Sequence, residues 1–355
     1  MLTLKHKKLT SIKSVNHSYI EWHLTYACPF QCWYCPKDVW NGPLLARYDW
    51  AVYSDFLDEV LERYKKGYIL LSGGEPTNWP YFTNVLDKLH NNPNWEVMTL
   101  TNLSRSKYFI DQWAHKTNWI VTSFHPNVIK TQAQRDKWFE KALSYKKKTS
   151  LNIKILMDPL HWNYCLEMFH SLNDEDIWVT PVRIHNVTEA VNPSAYIHYT
   201  PEQEKILSNL KAKMGDHLKT DAPAHLPARK TFLQYDDGEE EISEGSFDAW
   251  HITSQIMRHD RNKFKGWLCN MGVNNIFIDE KGYVNRGLCT GGESLRSVGH
   301  IDNLTKIKWP TTATICPHTY CYCEGEVGIT KRKLTPAEIK LLREKRKLRN
   351  INVRT

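Results

Sequence analysis

Between Tyr19 and Ile184, short β-rich runs alternate with stretches of helical period, and this alternation limits the possible fold more than any other feature. Strands are predicted over Tyr19–Thr25, Tyr68–Ser72, Val97–Thr101, Trp119–Phe124, Leu151–Met157 and Ile177–Ile184. Helices are predicted over Asp49–Tyr64, Tyr81–Asn91, near Lys107–His115, Thr131–Lys148 and Trp162–Leu172. In the first helix Val52, Phe56, Val60 and Leu61 fall on one face. Roughly six strand–helix units in succession call for parallel strands with covering helices. Ligand sites in such folds gather at the C-terminal ends of the strands.

After Ile184 the pattern changes. Thr200-Pro201-Glu202-Gln203 is a capping box with proline at the first helical position, and the helix it opens fades near Lys213–Gly215. Asp236–Glu244 is strongly acidic and reads as a surface loop. A hairpin is predicted from Asn275–Ile278 through the turn Asp279–Gly282 to Tyr283–Arg286. Thr335-Pro336-Ala337-Glu338 is a second capping box, opening a basic helix to about Arg349. The expected division is an α/β unit over 1–185, a helical and acidic connection over 186–262, a small hairpin domain over 263–330 and a basic helix over 331–355.

The length of 355 residues suits one large domain and a smaller one. Fourteen Trp fit a tryptophan-rich core and surface better than a dedicated stacking platform. No apolar run reaches the roughly 18 residues of a membrane span. Residues 1–18 are basic but lack the apolar segment of a secretory signal, so a cytoplasmic protein is expected. The net charge is +8, and the segment from Lys331 onward carries ten Lys/Arg against Glu338 and Glu344, which accounts for the whole excess.

Nine cysteines in a chain of this kind are expected to bind metal rather than to form disulfides. Cys28, Cys32 and Cys35 are spaced C-x3-C-x2-C, and thiolates so placed in one loop can converge on a metal centre. Three ligands leave one iron of a four-iron cubane open to a chelating ligand. A structural zinc would want a fourth donor, for which His23 is the candidate. Leu71-Ser72-Gly73-Gly74-Glu75-Pro76 follows an apolar strand, where two glycines let the backbone approach a ligand closely.

The segment Leu24–Cys35, with Tyr34 just before the third cysteine, resembles the signature loop of the radical S-adenosylmethionine (SAM) superfamily. The resemblance implies that Cys28, Cys32 and Cys35 hold a SAM-binding [4Fe-4S] cluster and that Tyr34 packs near the adenine. It makes Gly73, Gly74 and Glu75 the motif that meets the SAM amino group. It also suggests Asn102 and Ser123 as polar contacts to the ribose or carboxylate. His125 is a SAM contact, a substrate acid/base or a structural histidine. Arg183 pairs with the SAM carboxylate or forms an ordinary salt bridge. The fold implied is a partial (β/α)6 TIM-like barrel followed by the hairpin domain.

Cys269 and Cys289 bracket the predicted hairpin, and Cys316, Cys321 and Cys323 follow it. This is similar to the auxiliary-cluster domains called twitch or, in their larger form, SPASM. Five cysteines suffice for a second [4Fe-4S] cluster; a zinc ribbon is the alternative. The Cys321-x-Cys323 pair departs from the commoner C-x2-C, so one of Cys316, Cys321 and Cys323 is expected not to ligate. Cys165 reads as a small buried hydrophobe.

The resemblance implies oxidoreductase or isomerase-type chemistry. SAM is cleaved reductively, with an external one-electron reductant of flavodoxin or ferredoxin type, and a hydrogen atom is taken from a peptide or protein. Because Cys28 comes so early, no fused peptide-recognition domain is expected upstream and a separate partner would be needed. An alternative substrate is a nucleotide or a base in DNA or RNA, drawn by the basic tail. A more distant alternative is a non-catalytic, metal-binding nucleic-acid module.

Overall fold

The structure is a computed structural model that describes residues 8–15, 18–35, 41–146, 148–172, 177–184, 199–210, 230–244, 253, 256–257, 261–290, 297–321, 324–341 and 344. The expected Cys323 ligand lies outside the described residues, as do most cations of the basic tail. After β1 (Leu9–Val15), a strand the sequence reading does not include, the first half follows the predicted alternation: β2 (Tyr19–Thr25), α1 (Trp50–Tyr64), β3 (Gly67–Gly73), α2 (Phe82–His90) and β4 (Trp95–Thr101). Then come α3 (Lys107–Asp111), β5 (Trp119–Phe124), α4 (Gln132–Tyr145), β6 (Ser150–Leu156), α5 (Trp162–Ser171) and β7 (Trp178–Val182). The helix expected to reach His115 stops at Asp111, and a 3-10 turn over Ala114–Lys116 completes the connection.

Strands β2 to β7 lie side by side in chain order, each parallel to the next. Alternate residues face opposite ways. Ile69, Leu71, Val97, Ile120 and Ile153 pack under the helices in one large cluster. In α1 the buried face is Tyr53, Phe56, Leu57 and Val60, one position round from the predicted stripe. Tyr53 turns inward because its ring packs edge-on against Trp79 at 4.8 Å. Each such apolar side chain contributes about 1.5–3 kcal/mol on burial. On the opposite face Tyr68, Leu70, Met98, Trp119, Val121 and Trp178 meet Cys269, Met271 and Ile329 from the C-terminal part of the chain. The strands are therefore apolar on both faces, as buried parallel strands must be.

The second half supplies α6 (Pro201–Asn209), β8 (Lys230–Tyr235), β9 (Glu240–Glu244), β10 (Leu268–Cys269), β11 (Asn275–Ile278), β12 (Tyr283–Asn285) and β13 (Gly299–His300). After them come β14 (Thr314–Ile315), α7 (Glu324–Val327), β15 (Lys331–Arg332) and a helix from 336, α8. The predicted capping box opens α6, where Thr200 and Gln203 satisfy each other's backbone N–H groups. The predicted hairpin forms as β11 and β12. It is not set apart, however: β11 pairs in parallel with β2, Ile276 opposite Ile20, and extends the sheet to nine strands in the order β13-β12-β11-β2-β3-β4-β5-β6-β7.

A six-stranded sheet, ordered β14-β10-β15-β1-β8-β9, joins segments far apart in sequence. The acidic stretch expected to be a loop is partly β9, which pairs antiparallel with β8 at the end of this sheet. Glu240 and Glu241 there bond Gln234 and Tyr235, and charges on an edge strand discourage further pairing. Lys331 and Arg332, expected to begin the basic helix, form β15 instead. The second capping box operates as predicted, with Glu338 N–H donating to Thr335 Oγ1 at 3.3 Å. No helix among the described residues is long and apolar enough to cross a membrane.

Candidate active site

The loop carrying Cys28, Cys32 and Cys35 leaves the C-terminal end of β2 and is tied to the ends of four other strands. The Gly74 N–H donates to Thr25 O at 2.7 Å and the Glu75 N–H to Ala27 O at 2.9 Å, joining the end of β3 to the start of the loop. Gly73 has φ +127°, and a Cβ there would lie 2.3 Å from Thr25 O, so only glycine allows this approach. From β4, Asn102 Nδ2 donates to Cys28 Sγ at 3.4 Å. Beyond β5, His125 Nδ1 lies 3.3 Å from Cys32 Sγ and 2.9 Å from Tyr34 Oη. Beyond β6, Asp158 accepts the Trp33 indole N–H at 3.0 Å.

Glu75 is fully buried. Its carboxylate accepts hydrogen bonds from Thr77 Oγ1 at 2.6 Å, Thr101 Oγ1 at 2.7 Å and the Asn102 N–H at 2.7 Å. Burial pushes its pKa up against the pull of these donors. The residue predicted to face the SAM amino group thus braces the ends of β3 and β4 through its side chain. The groups left for a ligand are the half-buried backbone of Gly73 and Gly74 and the buried Ser72 hydroxyl, which has no hydrogen-bond partner among the described residues.

The thiols differ in their protonation. Burial pushes Cys28 up to about 11. Cys32 is held down at about 4 by the hydrogen bond from Cys35, which outweighs burial, with help from His125. Cys35 rises in turn through that bond and through burial. Cys32 is therefore poised as a thiolate, the form that binds metal. The Tyr34 hydroxyl donates to Asn127 Oδ1 at 3.0 Å, and its ring stacks on His125 with centroids 6.2 Å apart.

The remaining predicted residues divide. Ser123 is half-buried on β5, in register with Lys154 of β6. The Arg183 guanidinium forks onto the Glu204 carboxylate, with one arm at 2.7 Å, and lies over the Tyr199 ring. The ordinary salt bridge is thus the arrangement this arginine adopts. Both ring nitrogens of His23 are engaged, one by Glu21 and one by Tyr26, each at 3.1 Å, so it offers no ready fourth donor for zinc. Asp158 and Asn127 were missed from the sequence. The only signals for them were an acid two residues past the end of β6 and an amide two residues past His125.

A second cysteine site lies against the inner face of the long sheet. Cys269 is on β10, whose neighbours are β14 and β15. The Cys316 N–H donates to Trp267 O at 2.8 Å and the Cys321 N–H to Asn262 O at 2.9 Å. Cys269 and its neighbours lie near enough to raise the pKa values of Cys289, Cys316 and Cys321, although burial is the larger cause and pushes Cys321 up to about 12. Glu326 is buried beside them and accepts the Leu288 N–H at 2.5 Å. A Cβ on Gly287 would lie 2.3 Å from its Oε1, so a larger residue there would push the Glu326 carboxylate aside. Cys165 is fully buried, as expected of a small apolar residue. Among the described residues, no group of three or more His, Cys, Asp and Glu is arranged to hold a single metal ion.

No protein-family model matches the chain, and no curated protein matches it. Among solved structures it is similar to native anSMEcpe with bound AdoMet, at a TM-score of 0.50 and 12% identity, over 81% of this chain and 80% of that one. At 12% identity the likeness is one of fold. A second similar structure is BtrN in complex with AdoMet and 2-DOIA, at a TM-score of 0.40 and 12% identity, over 81% of this chain and 79% of that one.

Proposed function

We propose that the chain is a radical SAM enzyme whose active site is the loop of Cys28, Cys32 and Cys35 at the C-terminal ends of the parallel strands. The observation that carries this reading is the clamping of that loop by Gly74, Glu75 and Asn102. The donor set fits a cluster: three thiols in one loop, one poised as a thiolate, with two N–H donors on Cys28 Sγ, from Asn102 and from the Phe30 backbone. Cys28, Cys32 and Cys35 would hold a [4Fe-4S] cluster, which when bound would supply the electron for reductive cleavage of SAM.

The chain's own residues position and enclose. Glu75 fixes the strand ends against each other. Gly73, Gly74 and the Ser72 hydroxyl offer polar atoms to the amino group of SAM. Asn102 steadies Cys28, while His125 and Tyr34 pack over Cys32. Trp33, anchored on Asp158, holds the loop's far side. The strand ends support a partial (β/α)6 barrel reading in which Ser123 faces the ligand.

The four described C-terminal cysteines support a twitch-like auxiliary [4Fe-4S] site. That pattern makes a peptide or protein the proposed substrate, and a flavodoxin or ferredoxin the proposed reductant, in the cytoplasm. The nucleic-acid alternative draws nothing from Lys331, which is buried, and Arg332, though still at the surface, is forked onto Glu338. The test is anaerobic reconstitution with iron and sulfide, then assay of 5′-deoxyadenosine under dithionite. The wild-type chain is expected to form it and Cys32→Ala to form none. A wild-type chain that takes up only zinc and gives no cubane EPR signal overturns the reading.

A further inference from the structure

Lys331 is 3% exposed, on a strand that pairs with β10, where it stands opposite Cys269. Its ammonium donates to Glu326 O at 2.8 Å, lies 4.0 Å from Cys321 Sγ and sits 4.4 Å over the Phe264 ring. It forms no ion pair with a carboxylate among the described residues, and the nearby Glu326 side chain is committed to the Leu288 N–H. An ammonium withdrawn from water is costly unless anions face it. The groups disposed to be those anions are first the sulfurs of Cys321 and Cys269, then the Glu326 carboxylate and Cys316, with the Phe264 ring adding a weaker attraction.

We propose that Lys331 is the built-in counter-cation of the C-terminal cysteine site and makes a thiolate-ligated iron–sulfur cluster bound there easier to reduce. This rests on the reading of those cysteines as an auxiliary cluster site. Reduction adds one electron from an external one-electron donor and makes the cluster more negative by one charge. No bond is made or broken, and Lys331 keeps its proton throughout. A fixed positive charge in a low-dielectric surrounding favours the more negative state, which raises the midpoint potential.

The experiment uses the full chain with Cys28, Cys32 and Cys35 all replaced by alanine, so that any remaining cluster is the auxiliary one. Iron and sulfide are counted, and the midpoint potential is read by EPR during a dithionite titration. Lys331→Met keeps the packing on Phe264 without the charge and is expected to shift the midpoint to more negative values. Lys331→Arg is expected to keep it near the parent value. An unchanged midpoint in Lys331→Met at full cluster content overturns the proposal. If Lys331→Met fails to retain the cluster, retention by Lys331→Arg supports the charge requirement, and loss from both variants overturns it. A triple-alanine parent that binds no iron overturns the auxiliary-site reading itself, and is told apart because it shows before any Lys331 variant is compared.

Discussion

The buried carboxylate of Glu75 accepts the backbone N–H of Asn102 at 2.7 Å. With the bond from Thr101 Oγ1, it braces the end of β3 against the end of β4, beside the loop that carries Cys28. Replacing Glu75 by alanine leaves the donors of Thr77, Thr101 and Asn102 without their acceptor. The expected result is a loss of about 3 kcal/mol in unfolding free energy, measured in urea, together with lower iron uptake on reconstitution.

Gly73→Ala places a methyl group 2.3 Å from Thr25 O at a φ of +127°. The backbone must shift, and the Gly74–Thr25 bond is the first to suffer. A destabilisation of about 3 kcal/mol is expected. A circular-dichroism melt with an unchanged midpoint would contradict this account of the motif.

Asp158 is fully buried and holds Trp33 at 3.0 Å, His161 at 2.9 Å and the Leu160 N–H at 2.9 Å. Asp158→Ala is expected to cost about 2–3 kcal/mol and to release the Cys28–Cys35 loop. Tryptophan fluorescence and the rate of iodoacetamide labelling at Cys28, Cys32 and Cys35 should both rise.

Glu326 is pushed up to about 7, by burial first and then by the charge of Glu21, while Lys331 and the Leu288 and Cys289 N–H groups pull the other way. Its folded-state pKa is thus above its ordinary 4.5. The folded protein binds this proton more tightly than the unfolded chain does. Stability from it is therefore fully present below pH 4.5 and is lost as pH rises through about 7. At 1.36 kcal/mol per pH unit that interval corresponds to about 3 kcal/mol. Glu326→Gln, which stays neutral and keeps an acceptor for Leu288, should remove that slope from urea unfolding measured between pH 4.5 and 7.

Cys289→Ala is expected to lower iron content by about four per chain while leaving 5′-deoxyadenosine formation measurable under dithionite. Full iron content in this variant would remove Cys289 from the auxiliary site.

Periodicity and caps belong to neighbouring residues, so the sequence by itself determined the alternation of strands and helices, the capping boxes at Thr200 and Thr335, and the loop spacing of Cys28, Cys32 and Cys35. The hairpin over Asn275–Asn285 was legible for the same reason. Only the tertiary structure decided what those pieces meet. Leu9–Val15 becomes a strand because β8 and β15, more than 200 residues away in sequence, supply its hydrogen bonds. Lys331 reads as one cation of a solvated tail until packing places it opposite Cys269. Arg183 reads equally as a carboxylate contact or a salt bridge until folding brings Glu204, 21 residues on, against its guanidinium. Local spacing reports what a segment can form. Which partner neutralises a buried charge depends on distances that exist only after the chain has closed on itself.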